Sequence, residues 1–251
     1  DVESRGLGDV YKRQAYENAG ADVILADAGN FLQGTAAANS DRGLGVYNLM
    51  DAAGYDVAAM GLAEFGYADA TTGYGYHKNV TKYYTQAELQ NGAKALTYNK
   101  DMKGKVTADR AEKAAATFTA LSANAVSDTE YYYFEASTVL TTKSGLKVGF
   151  YGLTATSAAA NVQDGCLRVS EPKPVRLNAD VTICLSNAGV SGSEYGDLVI
   201  DAGNAETVGA YVIDNSSKTV TSLTPDLSGS DAEIAKSAAA LKAAAGKTVG
   251  R

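Results

Sequence analysis

Histidine is almost missing from this sequence. His77 is the only one in 251 residues. It lies in a Tyr-rich stretch, far in sequence from every motif described below, and is expected to be a solvated loop residue. Cysteine is nearly as scarce: Cys166 and Cys184 are too few for a disulfide framework. Cys184, inside the apolar run Val181-Thr182-Ile183-Cys184-Leu185, reads as a buried core thiol. Tryptophan is absent, and 16 tyrosines stand against 5 phenylalanines, an amphipathic aromatic content that points towards an exported protein. No apolar run approaches the ~20 residues a membrane helix needs, and no signal-peptide core is visible. Lysine and arginine are scattered through a chain of net charge −7 and pI about 4.8, so the electrostatic footprint of a nucleic-acid or anionic-lipid binder is lacking. Neither a nucleic-acid partner nor a membrane span is expected.

What is present suffices for one large domain or two small ones: 25.9 kDa, 45% hydrophobic residues and 20% charged. Residues 1–14 show neither helical nor strand periodicity and look like translated sequencing adapter, so they are set aside as non-native. From there Val23-Ile24-Leu25-Ala26 predicts a buried strand and Arg42 to Ala53 a helix with Val46, Leu49, Met50 and Ala53 on one stripe, capped by Gly54. Val57-Ala58-Ala59-Met60 predicts a second strand, and strand, helix, strand in that order argues for parallel α/β structure. Residues 66 to about 110, rich in Tyr, Gly, Asn, Thr and Lys, read as an excursion from the sheet with one helix near Gln86 to Ala95. A helix from Thr107 to Ala120 is expected to feed a short strand, Leu121-Ser122-Ala123-Asn124. Tyr132–Thr142 and Leu146–Leu153 alternate as an antiparallel hairpin turned at Lys143-Ser144-Gly145. Strands follow at Val181–Leu185 and Asp197–Ile200, then a second hairpin, Val208–Asp214 with Thr219–Leu223. Ser230 and Glu233 form a capping box for a closing helix over about 230–251. No internal repeat is apparent.

Four segments, in order, carry a resemblance. They are Asp27-Ala28-Gly29-Asn30-Phe31-Leu32-Gln33-Gly34; Gly61-Leu62-Ala63-Glu64-Phe65-Gly66-Tyr67; Leu121-Ser122-Ala123-Asn124 with Lys147 to Thr154; and Val181 to Val190, ending Ser186-Asn187-Ala188-Gly189. The set resembles the N-terminal domain of bacterial 5′-nucleotidases, members of the calcineurin-like metallophosphoesterases. The resemblance implies a layered α/β fold over about 15–229, with a mostly parallel central sheet, β-hairpins and flanking helices. It also implies a linker helix after residue 229, and a C-terminal domain beyond the present chain. In that family two divalent metals are held by carboxylate, amide and imidazole ligands and generate hydroxide at neutral pH.

Carried over residue by residue, that ligand set is degenerate here. The bridging Asp of the family corresponds to Asn30, a ligand Asn to Leu62, the histidine beside it to Ala63, and the His of Ser-His to Asn187. The family's Asp-x-His strand has no counterpart, and no histidine occupies the place of its Gly-His-x-His. Asp27, Asn30, Glu64, Asn187 and Asp201 are the remaining polar residues that could gather at the strand ends, where α/β sheets bind ligands, and oxygen donors of this kind would suit calcium or magnesium. Against that, Asn30 and Asn187 are expected to satisfy turn backbone, and Glu64 and Phe65 to pack. No resident metal or other cofactor and no catalytic residue is expected. The leading reading is a non-catalytic binding or structural module of an exported bacterial protein, located outside the cell or at its surface. The alternative is a residual metal-dependent phosphomonoesterase acting on nucleotides.

Overall fold

The computed structural model describes residues 13–31, 44–65, 97–98, 106–107, 118–127, 134–161, 167–203 and 209–223. Two sheets carry the fold. The first has the parallel order β1-β2-β5, from Ala26–Asp27, Val57–Ala59 and Thr119–Leu121, with Ala26 opposite Val57 and Ala59 opposite Leu121. Separate antiparallel pairs stand outside the main sheets, among them β3 (Thr97–Tyr98) with β4 (Val106–Thr107), within the predicted excursion, and β6 (Ala125–Ser127) with β9 (Leu167–Val169). The second main sheet joins β7 (Ser137–Thr141) antiparallel to β8 (Lys147–Leu153), and then β10 (Val181–Ser186) and β11 (Leu198–Asp201) parallel, in the order β11-β10-β8-β7. The hairpin β12 (Ala210–Ile213) and β13 (Val220–Leu223) closes the described chain.

The α/β class with mainly parallel strands is therefore as the sequence implied, but the strands at Val57 and Val181 lie in two sheets and not in one central sheet. The chain itself makes the junction: Glu135 pairs with β5 through its amide to Ala120 O and its carbonyl from Ser122 N, and two residues later the chain has entered β7. Val57, Ala59 and Leu121 from the first sheet share one core with Val148, Phe150, Val181, Ile183 and Leu185 from the second. One main-chain bond, Ala123 N to Gly152 O at 2.7 Å, ties the sheets where they touch.

Several boundaries differ from the sequence reading. The helix is Leu44–Ala53, with Val46, Met50 and Ala53 turned inward, while Leu49 is 43% exposed. At 100° per residue Leu49 falls on the flank of the stripe that the other three define. Gly54 ends the helix at φ +77°, as its position suggested, and Tyr55 N reaches back to Met50 O. The predicted helix Thr107–Ala120 is corrected at both ends, because Thr107 lies in β4 and Thr119–Ala120 in β5. Parallel pairing with Val57–Ala58 decides the conformation of Thr119–Ala120, which local sequence leaves open. The first strand begins at Ala26 and not at Val23, and β7 begins at Ser137 and not at Tyr132. The closing helix, His77, Tyr131-Tyr132-Tyr133 and the helix near Gln86 lie outside the described residues.

Aspartates lock the starts of the parallel strands. Asp56 donates its amide to Leu25 O and accepts Leu25 N at 2.9 Å; Asp180 does the same with Lys147, and Asp197 with Thr182. Each lies just before an apolar strand, at Asp56-Val57, Asp180-Val181 and Asp197-Leu198. Reciprocal bonding of this kind fixes the pairing of the first residue, and in a sheet that sets the register of all that follow. Arg13 bonds Glu17, Asp56 and the Gly54 carbonyl, so a residue from the adapter-like segment takes part in packing around the first parallel pair.

Candidate functional site

The C-terminal ends of β1, β2 and β10 converge on a small polar knot. After β1 the chain turns sharply: Asp27 accepts Gly29 N at 2.7 Å, and Asn30 sits at φ +69°, a left-handed conformation that asparagine tolerates well. After β2 the short 3-10 turn Ala63–Phe65 buries both Glu64 and Phe65 completely. The Glu64 carboxylate accepts three main-chain amides, from Asn30 (2.8 Å), Phe31 (2.9 Å) and Gly61 (2.6 Å). Asn30 Oδ1 in turn accepts Ala63 N at 3.0 Å.

From the other sheet Asn187 reaches across, its Oδ1 accepting Ala155 N at 3.0 Å and its Nδ2 donating to Met60 O at 3.2 Å. The fit leaves little room. A Cβ on Gly61 would come within 2.5 Å of Asn30 Oδ1, and one on Gly29 within 2.9 Å of Asn187 Nδ2.

Asp27, Asn30, Glu64 and Asn187 are thus brought together, and Asp201, at the end of β11, holds the adjoining loop. Its carboxylate accepts Gly189 N (2.9 Å), Val190 N (3.1 Å) and Gly203 N (2.8 Å). Leu62 is 39% exposed, and Ala63 enters the knot through its main-chain amide. Beneath lies a buried polar network that the sequence reading missed. Thr154 Oγ1 donates to Met60 O at 2.6 Å and pairs with Ser122 Oγ, while Asn124 bonds the main chain of Thr154 and Ser170. Those residues sit in the matched segments, but a serine, an asparagine and a threonine at strand ends give no signal in sequence that they will be buried.

Asp27 is the electrostatically unusual residue. It keeps some accessible surface, yet its carboxyl is crowded by protein on nearly all sides, and this crowding sets the desolvation. Burial pushes its pKa up to about 6, opposed by the Gly29 amide. Unfolded, the group titrates near 3.8, so between about pH 4 and 6 the folded state holds more protons. Stability should then fall as pH rises through that window and stay lower above it. Asp27→Asn is expected to abolish this slope and add on the order of 1–2 kcal/mol at pH 8. Urea unfolding of both proteins at pH 4.5 and 8 checks it, and a parallel pH dependence in the two would contradict it.

Two divalent cations need side-chain donors with lone pairs to spare. Glu64 gives three of its acceptor sites to main-chain amides and Asn30, Asn187 and Asp27 one each, the two asparagines carry no charge, Leu62 and Ala63 supply no donor atoms from their side chains, and no group of three or more His, Cys, Asp or Glu suited to a metal occurs among the described residues. The side chains described do not fit a di-metal centre.

No protein-family model matches the chain, and no curated protein does. Solved structures do. A 5′-nucleotidase precursor from Thermus thermophilus is 17% identical, over 71% of this chain and 30% of its own, at TM-score 0.48. A calcineurin-like phosphoesterase from Bacillus subtilis is 15% identical, over 73% and 54%, at 0.42. A putative 5′-nucleotidase from Staphylococcus aureus is 11% identical, over 92% and 52%, at 0.49. The chain is similar to 5′-nucleotidases and calcineurin-like phosphoesterases. It spans between 30% and 54% of the length of these three structures.

Proposed function

We propose that this chain is a non-catalytic, 5′-nucleotidase-like domain serving as a binding or structural module of an exported bacterial protein. The observation that carries this reading is the make-up of the knot. At the positions where the motif resemblance puts metal ligands and a catalytic imidazole stand Asn30, Leu62, Ala63 and Asn187, none of which brings charge or imidazole, and the two asparagines hold main chain. Electrostatic activation of a phosphoryl group needs charge and imidazole together, and losses within one catalytic unit are not compensated by a surviving member. Export is supported by the tyrosine-rich, tryptophan-free composition.

The test is direct. Purified protein incubated with zinc or manganese should retain less than one equivalent of metal on elemental analysis. Hydrolysis of AMP or p-nitrophenyl phosphate should equal that of buffer with the same metal. Two equivalents bound at micromolar affinity, with turnover that Asp27→Ala abolishes, would establish a residual phosphomonoesterase instead.

A further inference from the structure

The loops after β1 and β10 are built alike, position for position, although their sequences gave no hint of a repeat. The last residue of each strand, Asp27 or Ser186, accepts the amide two residues on, from Gly29 at 2.7 Å or Ala188 at 2.9 Å. The next residue, Asn30 or Gly189, is left-handed in both, at φ +69° and +73°. Its amide and the one after it then point at a single carboxylate. Asn30 N and Phe31 N meet Glu64 at 2.8 and 2.9 Å, and Gly189 N and Val190 N meet Asp201 at 2.9 and 3.1 Å. The carboxylate comes from the parallel neighbour's side in both cases, Asp201 as the last residue of β11 and Glu64 from the 3-10 turn that follows β2, and backbone near it contributes a third amide, Gly203 N or Gly61 N.

Successive amides converging around a left-handed residue form a concavity for an anion. Here each concavity has a carboxylate seated in it, and the third amide comes from a different segment of chain. We infer that both loops are anion-binding nests whose ligand is the chain's own side chain. The nest at Gly189, Val190 and Gly203, whose two glycines are exposed while Val190 is buried, takes a small exogenous carboxylate once that of Asp201 is removed. This goes beyond the proposed function and stands apart from it, since it involves neither metal nor substrate.

Size matching supplies the test. Asp201→Ala deletes a carboxylate, which formate replaces; Glu64→Ala deletes a CH₂-carboxylate, which acetate replaces. Thermal unfolding of the full chain is followed in sodium formate or acetate, with sodium chloride holding ionic strength constant. For a dissociation constant of about 10 mM, Asp201→Ala should gain roughly 3–6 °C in about 100 mM formate, and the unsubstituted protein less than about 1 °C. Should Asp201→Ala not fold unaided, recovery on refolding in formate over chloride is the readout. Acetate should act likewise on Glu64→Ala. A response of Asp201→Ala no greater in formate than in chloride, or an equal response in the unsubstituted protein, overturns the inference.

Discussion

Replacing Glu64 with alanine should cost about 3–5 kcal/mol of folding free energy, because three main-chain amides lose their acceptor at once inside the protein. The side chain is wholly buried, so water cannot simply take the place of the carboxylate. Each stranded amide carries a desolvation penalty of about 1–3 kcal/mol. Glu64→Gln, which keeps one carbonyl oxygen and the shape, should lose roughly half as much. Urea titrations of the three proteins, compared by midpoint at constant slope, measure the difference. An alanine variant within about 1 kcal/mol of the parent would mean that the knot does not contribute to stability as described.

Gly152→Ala is expected to be as damaging for a different reason. A Cβ there would stand 2.1 Å from Leu121 O and 2.5 Å from Leu121 C, and both are main-chain atoms of a fully buried residue in β5. Nothing flexible can yield. Relief requires β5 and β8 to separate, which breaks the Ala123 N to Gly152 O bond that joins the two sheets. We expect about 4 kcal/mol of destabilisation, or failure to accumulate as folded protein, well beyond the entropy alanine saves in the unfolded chain. Gly145→Ala is the control, since that turn glycine is open to space, although its φ of +86° brings modest strain. Equal loss in the two variants would refute the steric account.

The parallel strands, both hairpins and the buried Cys184 were legible in the sequence, because unbroken apolar runs and alternation are direct records of burial on two faces or on one. The helix ending at Ala120 was misread for want of a partner strand: residues 118–121 are Phe-Thr-Ala-Leu, which favour no element until β2 lies alongside. The division into two sheets was equally invisible, for it depends on a chain crossing at Glu135 to Ser137 that carries no distinctive residue. At the site, asparagine at 30 and 187 suggested service to turn backbone, and both side chains do bond main chain. Glu64 was read as a packing residue, when its burial is made tolerable by amides from two segments. The sign available was a carboxylate at a strand's last residue or in the turn that follows it, opposite a loop with Asn or Gly in its fourth position. That pattern acquires meaning only once the pairing is known.

The polar knot also fixes an order of events. β7 and β8 meet across a tight turn, β10 meets β11 after a short connection, and β8 meets β10 across about thirty residues, so the second sheet assembles from contacts much nearer in sequence than those that join it to the first. Asn187 instead reaches Met60 across 127 residues, and Ser144 reaches Asp22 across 122. Closing such long loops is slow and entropically costly before any reward arrives. In pulse-labelling hydrogen exchange, amides of β8 and β10 should therefore gain protection earlier than those of Thr119 and Met60, whose acceptors, Asp56 O and Leu121 O, lie about 60 residues away. On the way back to the unfolded chain the Asn187 to Met60 bond, which ties one sheet to the other, should be among the first to open, so that the last contact made is the first lost.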